Sequence, residues 1–249
     1  MLRMRGRSRR GALALVACAL VLTAPAAGEE KKEAPSPEKE GKLPSGEPPD
    51  MNTWYAQVLA HSPVGINVTH FWSKDSKLRA ETVIAGRRIV TIVDETTYYA
   101  YDLLVRTGIA VQRAPKAIAQ DKDRPRPFGN ELHALLRQGA EPIGPESLGG
   151  QDVDVYQITD ERGRRKLWVT QDERRLPLRV FAYQRVSGTG MNTDYLNWQR
   201  GLPILNAFFI PEPGVDIATL SYEEYIQKQA KRQPLGPVPV LYSDLLHGF

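Results

Sequence analysis

The chain has 249 residues, of which 41% are hydrophobic and 25% are charged, and its formal net charge is +4. This length and apolar content suffice for one large or two small globular domains, which excludes a chain that is disordered throughout. The one cysteine excludes an internal disulfide framework and a cysteine-based zinc site. Residues 1–27 hold five arginines and no acidic residue, so the remainder carries 28 basic and 29 acidic side chains, without a basic field for nucleic acid.

The N-terminal segment, residues 1–27, has the pattern of a secretory signal peptide. Cationic residues come first, and the apolar run from Gly11 to Leu22 has the length of a signal h-region, too short to span a bilayer. Small residues then predict cleavage after Ala26 or Ala27. Two alternatives remain open: a lipobox-like sequence with Cys18 as the lipidated residue, and an uncleaved membrane anchor. All three place the rest of the chain outside the cytoplasm, in the periplasm of a two-membrane bacterium, with no transmembrane span once a signal is removed.

A polar spacer is expected to follow the signal. Residues 28–50 are rich in Pro, Glu and Lys and hold one large apolar residue, Leu43. Such a composition cannot offset the entropy of ordering the chain, which predicts a disordered linker. Residues 51–249 are then expected to form the folded domain, with an irregular C-terminal tail.

The first elements of this domain are predicted from hydrophobic spacing. Asn52–His61 places its apolar residues on one helical face and predicts a short helix. Alternating apolar residues with short turns between them then predict a four-stranded antiparallel meander over residues 65–102. Its strands are expected at Gly65–Trp72, Leu78–Ala85, Arg87–Val93 and Thr96–Asp102.

The second half repeats this arrangement after a connection. The polar, proline-bearing stretch Lys116–Pro127 predicts a mobile link, and Asn130–Gln138 an amphipathic helix. Ser221 with Glu224 has the spacing of a capping box and predicts a helix to about Lys231. The apolar residues of the last ten positions predict that the C-terminus docks on the domain. Further strands are predicted at Asp152–Thr159, Arg164–Thr170, Leu176–Gln184 and Gly190–Trp198.

Three local patterns in this order resemble a known family. They are Phe71-Trp72-Ser73-Lys74 followed by Lys77-Leu78-Arg79, Ile92-Val93-Asp94 with Tyr98–Asp102, and Phe208–Val215; Leu176-Pro177-Leu178-Arg179 fits a further strand. Together they are similar to the LolA-like superfamily of outer-membrane lipoprotein-sorting proteins, which includes LolA, LolB and RseB types. The resemblance covers about residues 52–226.

The resemblance implies a mainly antiparallel, strongly curved half-barrel sheet covered by short helices, with a hydrophobic cavity between sheet and helices. A sheet with one apolar face must cover that face, and three short helices are too small to cover seven or eight strands tightly. The expected function is therefore non-catalytic binding or transport of a lipid, or of the acyl chains of a lipoprotein. A sensor or interaction module of the same fold, which recognises an envelope protein, is the alternative.

Alternation along the predicted strands supplies candidates for the cavity wall. Residues of like parity in one strand share a face, although parity does not say which face is hollow. The candidate lining residues are Ile66, Val68, Trp72, Leu78, Ala80, Ile89, Val93, Tyr99, Tyr101, Trp168, Val180 and Phe181. Basic residues at predicted turns are candidates for a rim that meets anionic headgroups, namely Arg87, Arg88, Arg164 and Arg165.

The sequence offers no pattern for catalysis, cofactor binding or metal binding. The four histidines, His61, His70, His133 and His247, are scattered without ligand spacing, and nucleophile-elbow, zinc-protease and P-loop motifs are missing from the sequence. We therefore expect neither an enzyme nor a metalloprotein, and no cofactor.

Overall fold

A computed structural model describes residues 50–63 and 65–248. The expected signal peptide, its cleavage sites at Ala26 and Ala27, the lipidation site Cys18 and all but the last residue of the linker lie outside the described residues.

One sheet organises the domain. Its twelve strands form a single open, curled sheet in the order β12-β6-β5-β4-β3-β2-β1-β11-β10-β9-β8-β7. Neighbours are antiparallel except β12 and β6, which pair in parallel. The strands are β1 (Thr53–Ser62), β2 (Gly65–Lys74), β3 (Lys77–Ile84), β4 (Arg87–Asp94), β5 (Thr97–Asp102), β6 (Thr107–Gln112), β7 (Glu141–Leu148), β8 (Gln151–Asp160), β9 (Gly163–Thr170), β10 (Pro177–Gln184), β11 (Thr189–Arg200) and β12 (Asp216–Leu220).

Short helices cover the sheet. Ser221 caps α3 by accepting a hydrogen bond from the Glu224 backbone, and the Glu224 carboxylate accepts one from the Ser221 backbone, so the predicted capping box is confirmed. The helices are α1 (Pro115–Asp121), α2 (Glu131–Arg137), α3 (Tyr222–Ala230) and α4 (Ser243–His247), with a 3-10 helix at Asn206–Phe209.

The face of the sheet that packs against α1–α4 is the inner face. Strand register assigns it: Val58 pairs with Thr69, Thr69 with Thr82, and Thr82 with Ile89, so these residues share one side. Inner-face residues of β1–β6 and β11 form one buried core with the C-terminal Leu245 and Leu246. The expectation that the C-terminus docks on the domain is thereby confirmed.

The opposite, outer face is covered in part by the segment 201–215. Val90, Ile92 and Tyr101 project from this face and pack against Phe209. Because β4 and β5 are covered on both sides in this way, their apolar residues run almost continuously rather than alternating.

Arg79 fastens that segment to the sheet. It is buried, and its guanidinium donates to Glu81 at 2.9 Å, to the Phe208 carbonyl at 3.1 Å and to Glu212 at 2.5 Å. The guanidinium also lies over the Phe208 ring at 4.7 Å. These bonds satisfy a charge that would otherwise be costly to bury.

The predicted fold class, mainly antiparallel β in a curved half-barrel with short helices over the sheet, is confirmed. The meander over residues 65–102 is confirmed as β2–β5, and the later predicted strands correspond to β8–β11. The helix expected at 130–138 is α2. The prediction of seven or eight strands was too low, since β1, β6, β7 and β12 were not anticipated.

Two local predictions were wrong. Residues 52–61 form strand β1 rather than a helix, because Trp54, Ala56 and Val58 alternate onto the inner face and pair with β2 and β11. Residues 116–127, expected to be a mobile link, contain most of α1. Its end is tied down by Asp121, which forms ion pairs with Arg113 at 2.7 Å and Arg124 at 3.3 Å.

Candidate functional site

A cleft of about 560 Å³ lies between the inner face and its cover. The sheet supplies its floor, because β1, β2, β3 and β11 turn their inner residues toward it. The opposite wall is formed by the segment 124–137, which includes α2, and by the C-terminal residues 241–245; we call these two segments the cover. The floor residues are Val58, Ala60, Asn67, Thr69, Phe71, Thr82, Ile84, Met191 and Tyr195.

A stack of aromatic rings closes one end of the cleft. Phe128, which precedes α2, lies parallel to Phe71 with centroids 5.2 Å apart and to Trp198 with centroids 5.3 Å apart. Tyr195 continues the stack on the far side of Trp198, at 5.8 Å. The stack joins the cover to β2 and β11, and it leaves the neighbouring floor at Ala60 and Thr69 without a large side chain.

Gly129 permits this close approach. Its φ is +69°, a region that side chains disfavour, and a Cβ there would lie 2.7 Å from the Trp198 ring. A larger residue would therefore push the cover away from β11.

One wall of the cleft is polar and buried. The Tyr195 hydroxyl donates to Glu131 Oε1, and burial raises the pKa of the Glu131 carboxyl and of the Tyr195 hydroxyl. Neighbouring Arg126 donates to the carbonyls of Gly129 and Arg174 and lies over the Trp198 ring at 5.4 Å, and burial lowers the pKa of its guanidinium. The neutral forms of the acid and the phenol are thus favoured at this wall.

Charged residues also contribute to the cleft. Arg124, His133, Arg137 and Asp244 line it, and Arg124 pairs with Asp244 at 3.4 Å. Arg124 also pairs with Asp121 at 3.3 Å, so two carboxylates compensate its charge, while the floor is largely uncharged.

None of the twelve predicted lining residues lies in this cleft, although Ile66 and Val68 line a second pocket of about 560 Å³ on the outer face. Five of them do project from the inner face, as expected for Leu78, Ala80, Ile89 and Val93, and also for Val180. The first four are at most 2% exposed and form solid core, and Leu78 and Val93 border a separate pocket of about 270 Å³.

The other seven candidates project from the outer face. The Trp72 ring lies within 5.4 Å of Tyr55 and of Phe208, and Tyr99 and Tyr101 pack with Phe209. Trp168 donates to Glu146 at 2.8 Å. The seven are Ile66, Val68, Trp72, Tyr99, Tyr101, Trp168 and Phe181.

None of the four predicted rim arginines lines this cleft, although Arg88 lines the outer-face pocket with Ile66 and Val68. Arg87 donates to the buried Asp102 at 2.6 Å, and Arg88 to Glu81 at 2.6 Å on the outer face. Arg164 lies over Phe181, and Arg165 pairs with Asp160 at 2.9 Å. Each has a structural partner within its own part of the sheet.

Hydrophobic alternation did not identify the cleft residues, because the more apolar residues of β2 are those that project from the outer face. In β2 the inner residues Asn67, Thr69 and Phe71 are more polar than the outer Ile66, Val68 and Trp72. A useful signal was present in NELHALLRQ, whose helix contributes Glu131, His133, Ala134 and Arg137 to the cleft.

His70 is a partnered sheet residue, with its Nδ1 2.9 Å from the Tyr55 hydroxyl. Within residues 50–63 and 65–248, no cluster of three or more histidine, cysteine or acidic side chains is arranged to hold a metal ion. In the same part of the chain, none of the helices has the length and apolarity needed to cross a membrane.

No protein-family model and no curated protein sequence matches this chain. Among solved structures, an uncharacterized conserved protein from Thermus thermophilus is 10% identical, with a TM-score of 0.49, over 68% of this chain and 91% of that one. MucB of Pseudomonas aeruginosa, in complex with MucA, is 13% identical with a TM-score of 0.41, over 69% of this chain and 60% of that one. The lipoprotein LppX of Mycobacterium tuberculosis is 11% identical with a TM-score of 0.36, over 62% and 89%.

Proposed function

We propose that this chain is an exported, non-catalytic binding or carrier protein for a lipid or an acylated, lipoprotein-type ligand in the bacterial cell envelope. The observation that carries the proposal is the cleft between the inner face and its cover. Its volume, about 560 Å³, lies within the usual range of small-molecule sites. Export rests on the signal-like residues 1–27 of the sequence.

The cleft suits an acyl chain because its floor and far wall present apolar groups. Val58, Phe71, Ile84, Met191 and Leu241 face the same space. Burying a methylene group contributes about 0.8 kcal/mol, so a twelve-carbon chain gains roughly 9 kcal/mol before the costs of association. Selection would then depend on the length and shape of the chain.

Retained lipid tests this proposal. The chain is purified after mild extraction from expressing cells and examined by native mass spectrometry. A carrier gives a mass excess of one lipid-sized ligand per chain, which organic extraction removes and a dodecyl-chain amphiphile restores. A chain that carries no such ligand and takes up no dodecyl-chain amphiphile contradicts the proposal.

One observation favours the alternative, an envelope module that recognises a protein partner. The outer face exposes aliphatic side chains at the ends of β2 and β3, with Ile66 67% and Val83 60% exposed. Exposed apolar groups gathered in one place are typical of protein-binding surfaces. In that case Val83→Lys abolishes capture of one envelope protein, whereas lipid retention does not change.

A further inference from the structure

The polar wall of the cleft contains two buried side-chain oxygens that the fold leaves without a hydrogen-bond partner. Glu131 Oε1 accepts from Tyr195, but Glu131 Oε2 has no hydrogen-bond partner among the described residues. Asn130 Nδ2 donates to the Arg126 carbonyl at 2.6 Å, and Asn130 Oδ1 also lacks a partner in that part of the chain. Asn130 and Glu131 both line the cleft.

Leaving such groups unpaired is costly. A buried donor or acceptor without a partner destabilises the folded state, and native structures pair the great majority of such groups. Two unpaired oxygens on consecutive residues, both bordering one cleft, are therefore best explained by a partner that enters the cleft. The wall of an otherwise apolar site is where a few polar groups fix the orientation of a ligand.

The surrounding charges indicate what that partner is. Arg126 is not part of the cleft lining; two of its nitrogens donate to backbone carbonyls, its Nε has no partner among the described residues, and it forms no ion pair with Glu131 in that part of the chain. Arg124, Arg137, His133 and Asp244 also line the same cleft, and Arg124 pairs with Asp244. A ligand carboxylate would place its negative charge next to the unpaired oxygens of Asn130 and Glu131. Burial also raises the pKa of the Glu131 carboxyl, which favours its neutral form. A neutral head avoids this repulsion, since a protonated Glu131 donates and Asn130 Oδ1 accepts.

We propose that Asn130 and Glu131 anchor the uncharged hydroxyl or amide head of an acyl-chain ligand whose hydrocarbon tail lies along the cleft floor. This rests on the proposed function, and it deepens that function by assigning the ligand class: acyl glycerols or acyl amides rather than free fatty acids. The shared chemistry is a neutral head that both donates and accepts a hydrogen bond. It occurs in free lipids and in the acylated N-terminus of a protein.

The test compares four amphiphiles that share a twelve-carbon tail and differ in their head groups. Monolauroylglycerol, dodecanamide, laurate and dodecyltrimethylammonium are titrated into the delipidated chain at pH 7, below their micelle concentrations, with tryptophan fluorescence as the readout. We expect the two neutral heads to bind at least tenfold more tightly than laurate or the cation. A synthetic N-lauroyl peptide that binds like dodecanamide identifies an acylated protein as an acceptable source, and one that fails restricts the ligand to free lipid.

Two variants assign the preference to the anchor. Glu131→Leu removes the carboxyl, and we expect neutral-head affinity to fall about tenfold while laurate affinity does not fall. Glu131→Gln keeps a donor and an acceptor and should remain within threefold of the unmodified chain for neutral heads. Should Glu131→Leu fail to fold, Asn130→Ala takes its place, with an expected three- to tenfold loss. Equal affinity for all four heads, or unchanged neutral-head affinity in these variants, overturns the anchor, whereas failure of every probe to bind overturns the proposed function itself.

Discussion

The ring of Phe128 lies parallel to that of Trp198, with an interplanar angle of 2° and centroids 5.3 Å apart. Phe128 belongs to the cover and Trp198 to strand β11, so this contact holds the two walls of the cleft at a set distance. The indole nitrogen of Trp198 in turn donates to the Pro177 carbonyl at 2.9 Å, which fixes the ring.

Replacement of Phe128 by alanine tests this connection. Phe128 is buried between two rings, so Phe128→Ala should lower the free energy of unfolding by about 3 kcal/mol. Chemical denaturation measures the loss. Tyr183→Ala, on the exposed end of β10, serves as the control and should change stability by no more than about 0.5 kcal/mol. Equal effects of the two substitutions would show that the stack does not hold the cover.

Arg79→Met should be severely destabilising although it removes a charge. Its guanidinium bonds to Glu81, Glu212 and the Phe208 carbonyl, and loss of one member of a buried pair costs about 3 kcal/mol or more. Arg88→Met is the matched control, because Arg88 bonds to the same Glu81 from an exposed position and is worth about 0.5 kcal/mol. Similar unfolding midpoints for the two variants would refute the structural role of Arg79.

The stability of the domain should depend on pH through Glu131. Burial raises the pKa of this carboxyl in the folded state above its ordinary value of about 4.3. The extra stability is complete below that ordinary value and is lost as pH rises through the folded-state pKa, since the unfolded chain ionises first. Arg126 and the Tyr195 hydroxyl bond oppose this rise, and Asp244 adds to it.

Glu131→Gln isolates this effect, because the amide does not titrate. Relative to this variant, the unmodified chain should lose stability as pH rises above about 4, as followed by urea unfolding at several pH values. Parallel stability curves for the two chains would show that Glu131 ionises as an exposed glutamate does.

Trp72→Arg tests which face of the sheet binds the ligand. Trp72 packs on the outer face against Tyr55 and Phe208, so the substitution should cost about 2 kcal/mol of stability. Binding of a dodecyl-chain amphiphile by the folded protein should nevertheless be unchanged, because the cleft lies on the other face. Loss of binding in a variant that remains folded would place the ligand on the outer face.

Alternation predicted the meander and the sharing of faces, but it could not say which face carries the cleft. The segment 201–215 covers the outer face at Ile92 and Tyr101, so both faces of the central strands are apolar. In β1, Trp54, Tyr55, Val58 and Leu59 satisfy helical spacing as well as strand alternation, and only pairing with β2 and β11 decides between them. Such long-range contacts are not visible in local sequence.

The cleft wall was hidden from sequence reasoning for the same reason. Glu131 and Tyr195 are 64 positions apart, and neither belongs to a recognisable motif. Strand β7 was missed because Pro142, Gly144 and Pro145 read as a loop, although prolines and bulges are tolerated in an edge strand.

Filling the cleft tests ligand binding most directly. Ala134 lies on α2 and faces the cleft, whereas Ala119 is an exposed alanine on α1 outside it. Both are replaced by tryptophan, and retained lipid is counted by native mass spectrometry together with the affinity for monolauroylglycerol. We predict that Ala134→Trp reduces both at least tenfold while Ala119→Trp binds as the unmodified chain does. A folded Ala134→Trp chain that retains lipid and binds the amphiphile with unchanged affinity would contradict the assignment of the cleft as the ligand site.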